Sequence, residues 1–390
     1  MKYDFDQVID RYGTQSSKWD NVGVRVGNPD ALPMWVADTD FVCPTPVVEA
    51  VRKRAEHPIF GYPFIPQEFN DATIRWVKKQ HGWDIQSDWI VFTTGIVPVL
   101  NTMIQEFTQP GDEVIIQGPV YHPFGNAIRD NDRVISSNAL LFDGNKYTID
   151  FEDLEKRAQR AKLMIFCSPH NPVGRVWTKE ELTKVADICE RHDLILISDE
   201  IHSDLIYPGH EHISIASMSE KTAARTVTCY APSKTFNIAG LRSSGVVIPN
   251  QDIRARMCKR FQCNRAIQQN IFAVPGYVAA YTQCDDYLEQ LIPYLDANVS
   301  YTLEYFEKHM PKIRALRPEA MYLMWLDCHD MEMSDAELEQ FFVHQAGVAV
   351  NKGTMFGPEG SGFMRINVGC PRATLKTGLD RLYAEYQKLS

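Results

Sequence analysis

The chain has no Cys-x-x-Cys pair. Its nine cysteines are scattered from Cys43 to Cys370, and the two closest are Cys258 and Cys263. This spacing excludes the common zinc and dithiol motifs, and reduced thiols in a cytoplasmic protein are the expectation. Long apolar runs are also missing. None approaches the ~20 residues of a membrane span, and the opening Met1-Lys-Tyr-Asp-Phe-Asp6 is not an apolar signal segment. Positive charge is scarce: 40 Lys and Arg stand against 50 Asp and Glu, a net −10. Nucleic acid is therefore not an expected partner, because affinity for its backbone rests on clustered basic residues. Internal repeats and low-complexity tracts are absent as well.

What is present is an ordinary globular composition, 44% hydrophobic and 23% charged, over 390 residues. That length exceeds the roughly 250–300 residues at which a single core stops growing, so more than one lobe is expected. Residues 1–45, broken by Pro29, Pro33 and Pro44, read as an extended arm. Residues 46–285 alternate between helical periods and short apolar runs. The strand candidates are 89–93, 113–117, 133–136, 163–167, 194–198, 226–230 and 245–248. Most are continuously apolar, as strands covered on both faces are, and helical patterns separate several of them. Thr178-Lys-Glu-Glu181 is a capping box that opens one such helix. The pattern predicts an α/β fold with a largely parallel sheet. Residues 286–390 read as a smaller α+β domain, with a long helix from Tyr287 to His309, a helix near 334–346 and a strand at 363–368.

Three polar clusters follow directly on apolar runs: Ser168-Pro-His-Asn171, Ser198-Asp199-Glu-Ile-His202 and Ala231-Pro-Ser-Lys234. Ligands in open α/β sheets bind outside the carboxyl ends of strands, so one crevice collects all three. A lysine, a carboxylate and an asparagine so placed are what pyridoxal 5'-phosphate needs: a Schiff-base amine, a partner for the ring nitrogen and a donor to the ring oxygen. Thr93-Thr-Gly95-Ile96 reads as a strand, a tight turn and a helix start whose free amides suit a phosphate. On its own the glycine is an ordinary turn residue. Tyr121 reads as a stacking aromatic or a core tyrosine, and composition alone favours the latter. Arg365, on the alternating strand Phe363-Met-Arg-Ile-Asn-Val368, reads as a carboxylate clamp or as an exposed strand arginine. His210-Glu-His212 has no nearby third ligand and reads as surface polar residues rather than a metal site.

At these residues the chain resembles the fold-type I pyridoxal-phosphate enzymes of the aminotransferase class I/II superfamily. It is most similar to the cystathionine β-lyase-like C–S lyases of the MalY/PatB type, the cystalysin-like group. The resemblance runs through Leu32-Pro-Met-Trp-Val-Ala-Asp-Thr-Asp-Phe41, Phe60-Gly-Tyr-Pro63, the 167–177 segment, Asp199 to His202, the Lys234 run and Arg365-Ile-Asn367. It implies a large domain with a mostly parallel seven-stranded sheet beside the smaller domain. Lys234 is then the Schiff-base lysine and the acid/base at Cα, and Asp199 partners the pyridine nitrogen. Asn171 bonds the ring hydroxyl near His202, and Tyr121 stacks on the ring. Gly95, Ile96 and Ser233 serve the phosphate. Arg365 holds the substrate α-carboxylate beside Ala37. Tyr62 reaches the phosphate of a neighbouring subunit, which implies a homodimer. There are two departures near the lysine. Ala231 stands where aminotransferases of this fold often carry a phosphate-binding serine. Arg242 matches their phosphate arginine.

The reaction so implied is α,β-elimination from a sulfur amino acid, giving pyruvate, ammonia and a thiol. Transamination of an α-amino acid is the rival, since it uses the same lysine, aspartate and arginine. A non-catalytic regulatory role is the rival from another class. The acidic charge and the lack of a helix-turn-helix segment before the arm speak against it.

Overall fold

The computed structural model describes residues 1–264 and 268–389. Seven strands form the principal sheet: β1 (Ile90–Thr93), β2 (Glu113–Ile116), β3 (Val134–Ser137), β4 (Ala161–Cys167), β5 (Ile195–Asp199), β6 (Thr226–Tyr230) and β7 (Ser244–Val247). Their order is β1-β7-β6-β5-β4-β2-β3. Only β7 is antiparallel to its neighbours. The central strands are buried almost throughout, which explains why β4 and β5 are largely runs of Ile, Leu, Met and Phe rather than alternating sequences.

One apolar cluster on this sheet contains Leu100, Ile104, Val114, Ile165 and Ile197. Another contains Met164, Phe166, Trp177 and Leu196. The neighbours in β4 thus belong to different clusters, as the two-residue period of a strand requires. Among the covering helices, Lys179–Arg191 starts with the expected capping box between Thr178 and Glu181.

A second sheet has four antiparallel strands: β8 (Arg314–Leu316), β9 (Leu323–Asp327), β10 (Asn351–Lys352) and β11 (Phe363–Asn367). Two helices differ from expectation. The long helix runs from Asp285 to His309 and carries Pro293 inside it. The expected 334–346 helix is a short α-helix, Asp335–Glu339, continued by a π-helical segment, Gln340–Gln345. A π turn keeps helical backbone dihedrals nearby, so the side-chain period alone does not reveal it.

The N-terminal segment is mostly irregular, with one short helix, Val22–Val26. Leu32 and Pro33 pair in parallel with Val348 and Ala349. Residues 34–41 then run between the loop after β6 and the second sheet, held by a side chain from each. Asn237 Nδ2 donates to the Thr39 and Phe41 carbonyls at 2.9 and 3.1 Å. Asn367 Nδ2 donates to those of Val36 and Asp38 at 2.6 and 2.7 Å. Asp40 is buried and ion-paired to the equally buried Lys18 at 2.7 Å and to Arg11 at 2.6 Å.

Candidate active site

The carboxyl ends of β1, β2, β4, β5 and β6 open on one side of the principal sheet, and the predicted residues lie there. Asp199 ends β5 and is buried. It pairs in register with Cys167 at the end of β4. Its Oδ1 accepts only a long bond, 3.4 Å, from the Ile201 amide. Burial pushes its pKa up to about 7 against the opposing charge of Lys234. Asp199 is thus a buried carboxylate short of a cation.

Lys234 lies in the loop after β6. Its Nζ donates to the Ala37 carbonyl at 2.7 Å, and the Tyr322 hydroxyl donates to the same oxygen at 3.1 Å. Burial lowers the lysine pKa, and the charge of Arg365 lowers it further, although Asp38 and Asp199 oppose this. A lowered lysine pKa moves the amine in the direction that suits removing a proton. The next residue, Thr235, donates to the buried Asp204 at 2.7 Å, which fixes the turn that carries the lysine.

Arg365 is buried in β11, opposite Trp325 and Asn351. Its exposed-strand reading is therefore wrong: this face of the second sheet turns toward the principal one. Nη1 donates to Asn171 Oδ1 at 2.9 Å, and Nη2 to Asn351 Oδ1 at 2.6 Å and the Trp35 carbonyl at 2.9 Å. Its Nε is buried without a protein partner. The guanidinium lies 4.7 Å over the Phe356 ring. Burial lowers its pKa to about 10, still charged at neutral pH. A buried cation with only neutral acceptors is matched to an incoming carboxylate.

The loop carrying Asn171 is held by buried Arg175, which pairs with Glu181 at 2.8 Å and Glu319 at 3.0 Å. The Tyr121 amide donates to the Asn171 carbonyl at 3.0 Å, bringing that ring to the same crevice. His202 is buried beside it with Nδ1 unpartnered; burial, then Lys234 and Arg365, hold its pKa well below the usual value. Gly95 has φ +144°, and a side chain there would project into open space. The helix Ile96–Phe107 begins with no side-chain cap on its amides.

Lys234, Ala37, Asn171, Arg365, Tyr121, Asp199 and His202 thus form one group. Ser233 is half-buried beside the lysine, whereas Tyr62 and Arg242 are exposed. Trp35 lies in the 32–41 motif without a role assigned to it, and the sequence does not point to Asn351, Phe356 or Tyr322. No local motif marks these three, since each reaches the site through the second sheet. His212, expected at the surface, is instead buried and bonded to Glu200 at 3.0 Å. Among the described residues no His, Cys, Asp and Glu group could hold a metal ion.

These residues fit pyridoxal 5'-phosphate. The cation-poor Asp199 suits a protonated ring nitrogen, Tyr121 a flat ring, and the uncapped helix start at Gly95 a phosphate.

The aminotransferase class I and II family model matches residues 36–382. Cystathionine beta-lyase PatB of Bacillus subtilis is 44% identical over 382 residues, covering 97% of this chain and 99% of its own. Protein MalY of Escherichia coli is 33% identical, covering 97% of both. Cystalysin from Treponema denticola, whose crystal structure contains a pyridoxal 5'-phosphate cofactor, superposes with TM-score 0.96 at 40% identity over the whole of both chains. With a lysine, aspartate, asparagine and arginine gathered at the strand ends, and a match over nearly its full length, the chain belongs to the class I and II aminotransferase family.

Proposed function

We propose that the protein is a pyridoxal-phosphate-dependent C–S β-lyase that cleaves cystathionine- or cysteine-type amino acids to pyruvate, ammonia and a thiol. The observation that carries this is the grouping of the buried amine of Lys234, a cation-poor Asp199 and a carboxylate-seeking Arg365 in one crevice, in a chain 44% identical to a cystathionine β-lyase. Asp199, Asn171 and Tyr121 would hold the cofactor ring. Gly95, Ile96, Ser233 and Arg242 would hold its phosphate. When bound, the cofactor supplies an electron sink for charge developing at the substrate Cα.

The chain's own residues do the rest. Arg365 binds the α-carboxylate, which takes the place of one of its neutral acceptors, and fixes the Cα–H bond relative to Lys234. The Lys234 amine takes the Cα proton, for which its lowered pKa suits it. The electron pair forms the Cα–Cβ double bond as the Cβ–S bond breaks, and sulfur leaves with its pair and takes up the proton collected by Lys234 to become the thiol. The remaining aminoacrylate is hydrolysed to pyruvate and ammonia. The Ala37 carbonyl orients the lysine.

Tyr62 is fully exposed, in a segment that also exposes Ile59, Phe60 and Phe64. Such a patch needs a cover. This supports a homodimer in which Tyr62 reaches the partner's phosphate site. The same reading takes 1–45 as an arm, 46–285 as the cofactor domain and 286–390 as the small domain. The principal sheet lies wholly within the second range and the four-stranded sheet within the third. Nine free cysteines support a cytoplasmic location, and among the described residues no helix is long and apolar enough to cross a membrane.

Arg242 favours a second reading, transamination. Incubation with cystathionine separates the two. Thiol and pyruvate without an added keto acid support the lyase; product formation that requires a second keto acid, with no thiol, sinks it.

A further inference from the structure

A hollow of about 100 Å3 adjoins the crevice, walled in part by Tyr121, His122, Ser137, Phe356 and Glu359, with Arg129 also on it. Two of these walls belong to the site already described. Phe356 lies under the Arg365 guanidinium, and Tyr121 is tied through its amide to Asn171. The backbone joins them, since the Val120 amide donates to the Phe356 carbonyl at 2.8 Å.

Glu359 brings negative charge to this hollow. Its Oε1 accepts from the Ser137 hydroxyl at 3.0 Å, while Oε2 is buried with no donor from the protein. The carboxylate fits because residues 118 and 357 are glycines: a Cβ on either would sit 2.5 Å from Oε2. A buried carboxylate oxygen lacking a donor is costly, so this one is matched to an incoming N–H or ammonium. Arg129 is exposed and donates to Asn126 at 2.9 Å rather than to Glu359. His122 has its Nδ1 buried and unpartnered. Burial and the Arg365 charge push its pKa down to about 4, so it adds a polar group and no charge at neutral pH. One anion and one cation on one hollow match a zwitterion.

We propose that this hollow is a distal subsite for the amino-acid head at the far end of the substrate's sulfur substituent, with Glu359 taking its ammonium and Arg129 its carboxylate. The inference rests on the C–S lyase reading and narrows its substrate class to thioethers and disulfides that end in a second amino-acid head, as cystathionine and cystine do.

The test compares L,L-cystathionine with S-methyl-L-cysteine, which has no distal head, in steady-state assays of the holoenzyme. Glu359→Gln should lower kcat/KM for cystathionine roughly tenfold or more, through KM, while S-methylcysteine changes less than about twofold. Arg129→Ala, on an exposed side chain, should shift cystathionine in the same direction and decides the matter if Glu359→Gln does not fold. Equal losses on both substrates, or cystathionine kinetics untouched by both variants, overturn the subsite and leave the lyase reading standing. Failure of the wild-type holoenzyme to cleave either substrate overturns the lyase reading and the subsite with it.

Discussion

Arg365 Nη1 donates to Asn171 Oδ1 at 2.9 Å across 194 residues of sequence. A residue assigned to the substrate carboxylate therefore sets the pose of one assigned to the cofactor ring. The two should not act independently. Arg365→Lys keeps the charge but loses the fork, and Asn171→Ala removes its acceptor. In a double-mutant cycle on kcat/KM, the coupling should be about 0.5–3 kcal/mol. Strict additivity would show that the hydrogen bond has no functional role.

Lys234→Ala should remove the visible absorbance of the lysine-bound cofactor and lower turnover by orders of magnitude. The variant should still fold, because the substitution chiefly removes a hydrogen bond to the Ala37 carbonyl, which keeps the Tyr322 hydroxyl as a donor. Spectra and pyruvate assays read both effects. Full turnover in this variant would remove the lysine from the mechanism.

Asp199 makes the cofactor-free protein pH-sensitive. Its pKa is raised from 3.8 to about 7 on folding. A raised carboxyl pKa favours the folded state at low pH, and this contribution is lost as pH rises from about 3.8 through about 7. Asp199→Asn should therefore raise the Tm of cofactor-free protein at pH 8 and leave it nearly unchanged at pH 4. Adding pyridoxal phosphate should raise the Tm of wild type more than that of the variant, because only wild type offers the ring nitrogen a carboxylate. Scanning calorimetry at both pH values checks both statements.

Asp40 titrates in the opposite sense. Burial alone would raise its pKa, but Lys18, Trp19 and Arg11 together hold it below 3.8. Its stabilisation is present above that value and lost as pH falls through the lower folded pKa. Lys18→Met should destabilise the protein near the lower end of the ~3–5 kcal/mol typical of breaking a buried pair, because Arg11 remains on Asp40. The deficit should shrink below about pH 4. Denaturant melts at pH 7 and pH 3.5 measure it, and an equal deficit at both would contradict the ion-pair account.

Tyr62 is predicted to act across a subunit boundary. Tyr62→Ala should weaken cofactor binding while leaving the fold intact, since the side chain is fully exposed in one chain. Mixing it with Lys234→Ala, with subunit exchange, should restore activity by rebuilding one native site in each mixed dimer. No recovery in a verified mixed dimer would place Tyr62 outside the partner's site.

Much of the sheet is legible in the chain. Its strands are unbroken apolar runs, and the chemical residues follow them directly, so Asn171, Asp199 and Lys234 stand out as strand-end positions. The capping box at Thr178 is legible because it is a local code. Arg365 stays ambiguous in the sequence because alternation does not tell which face of a short strand is covered. His212 looks like a surface residue there because its partner, Glu200, follows the central strand β5 rather than lying in its own segment.

The sequence by itself determined which polar residues stand at the strand ends, because strand, turn and chemical residue are neighbours along the chain. Only the tertiary structure decided what the groups proposed to face the substrate touch. Arg365 meets Trp35, Asn171 and Asn351, and Glu359 meets Ser137 and the two glycines, through contacts between segments far apart in sequence. Burial at such meetings sets protonation and leaves particular atoms unpaired, and neither is a property of any one stretch of residues.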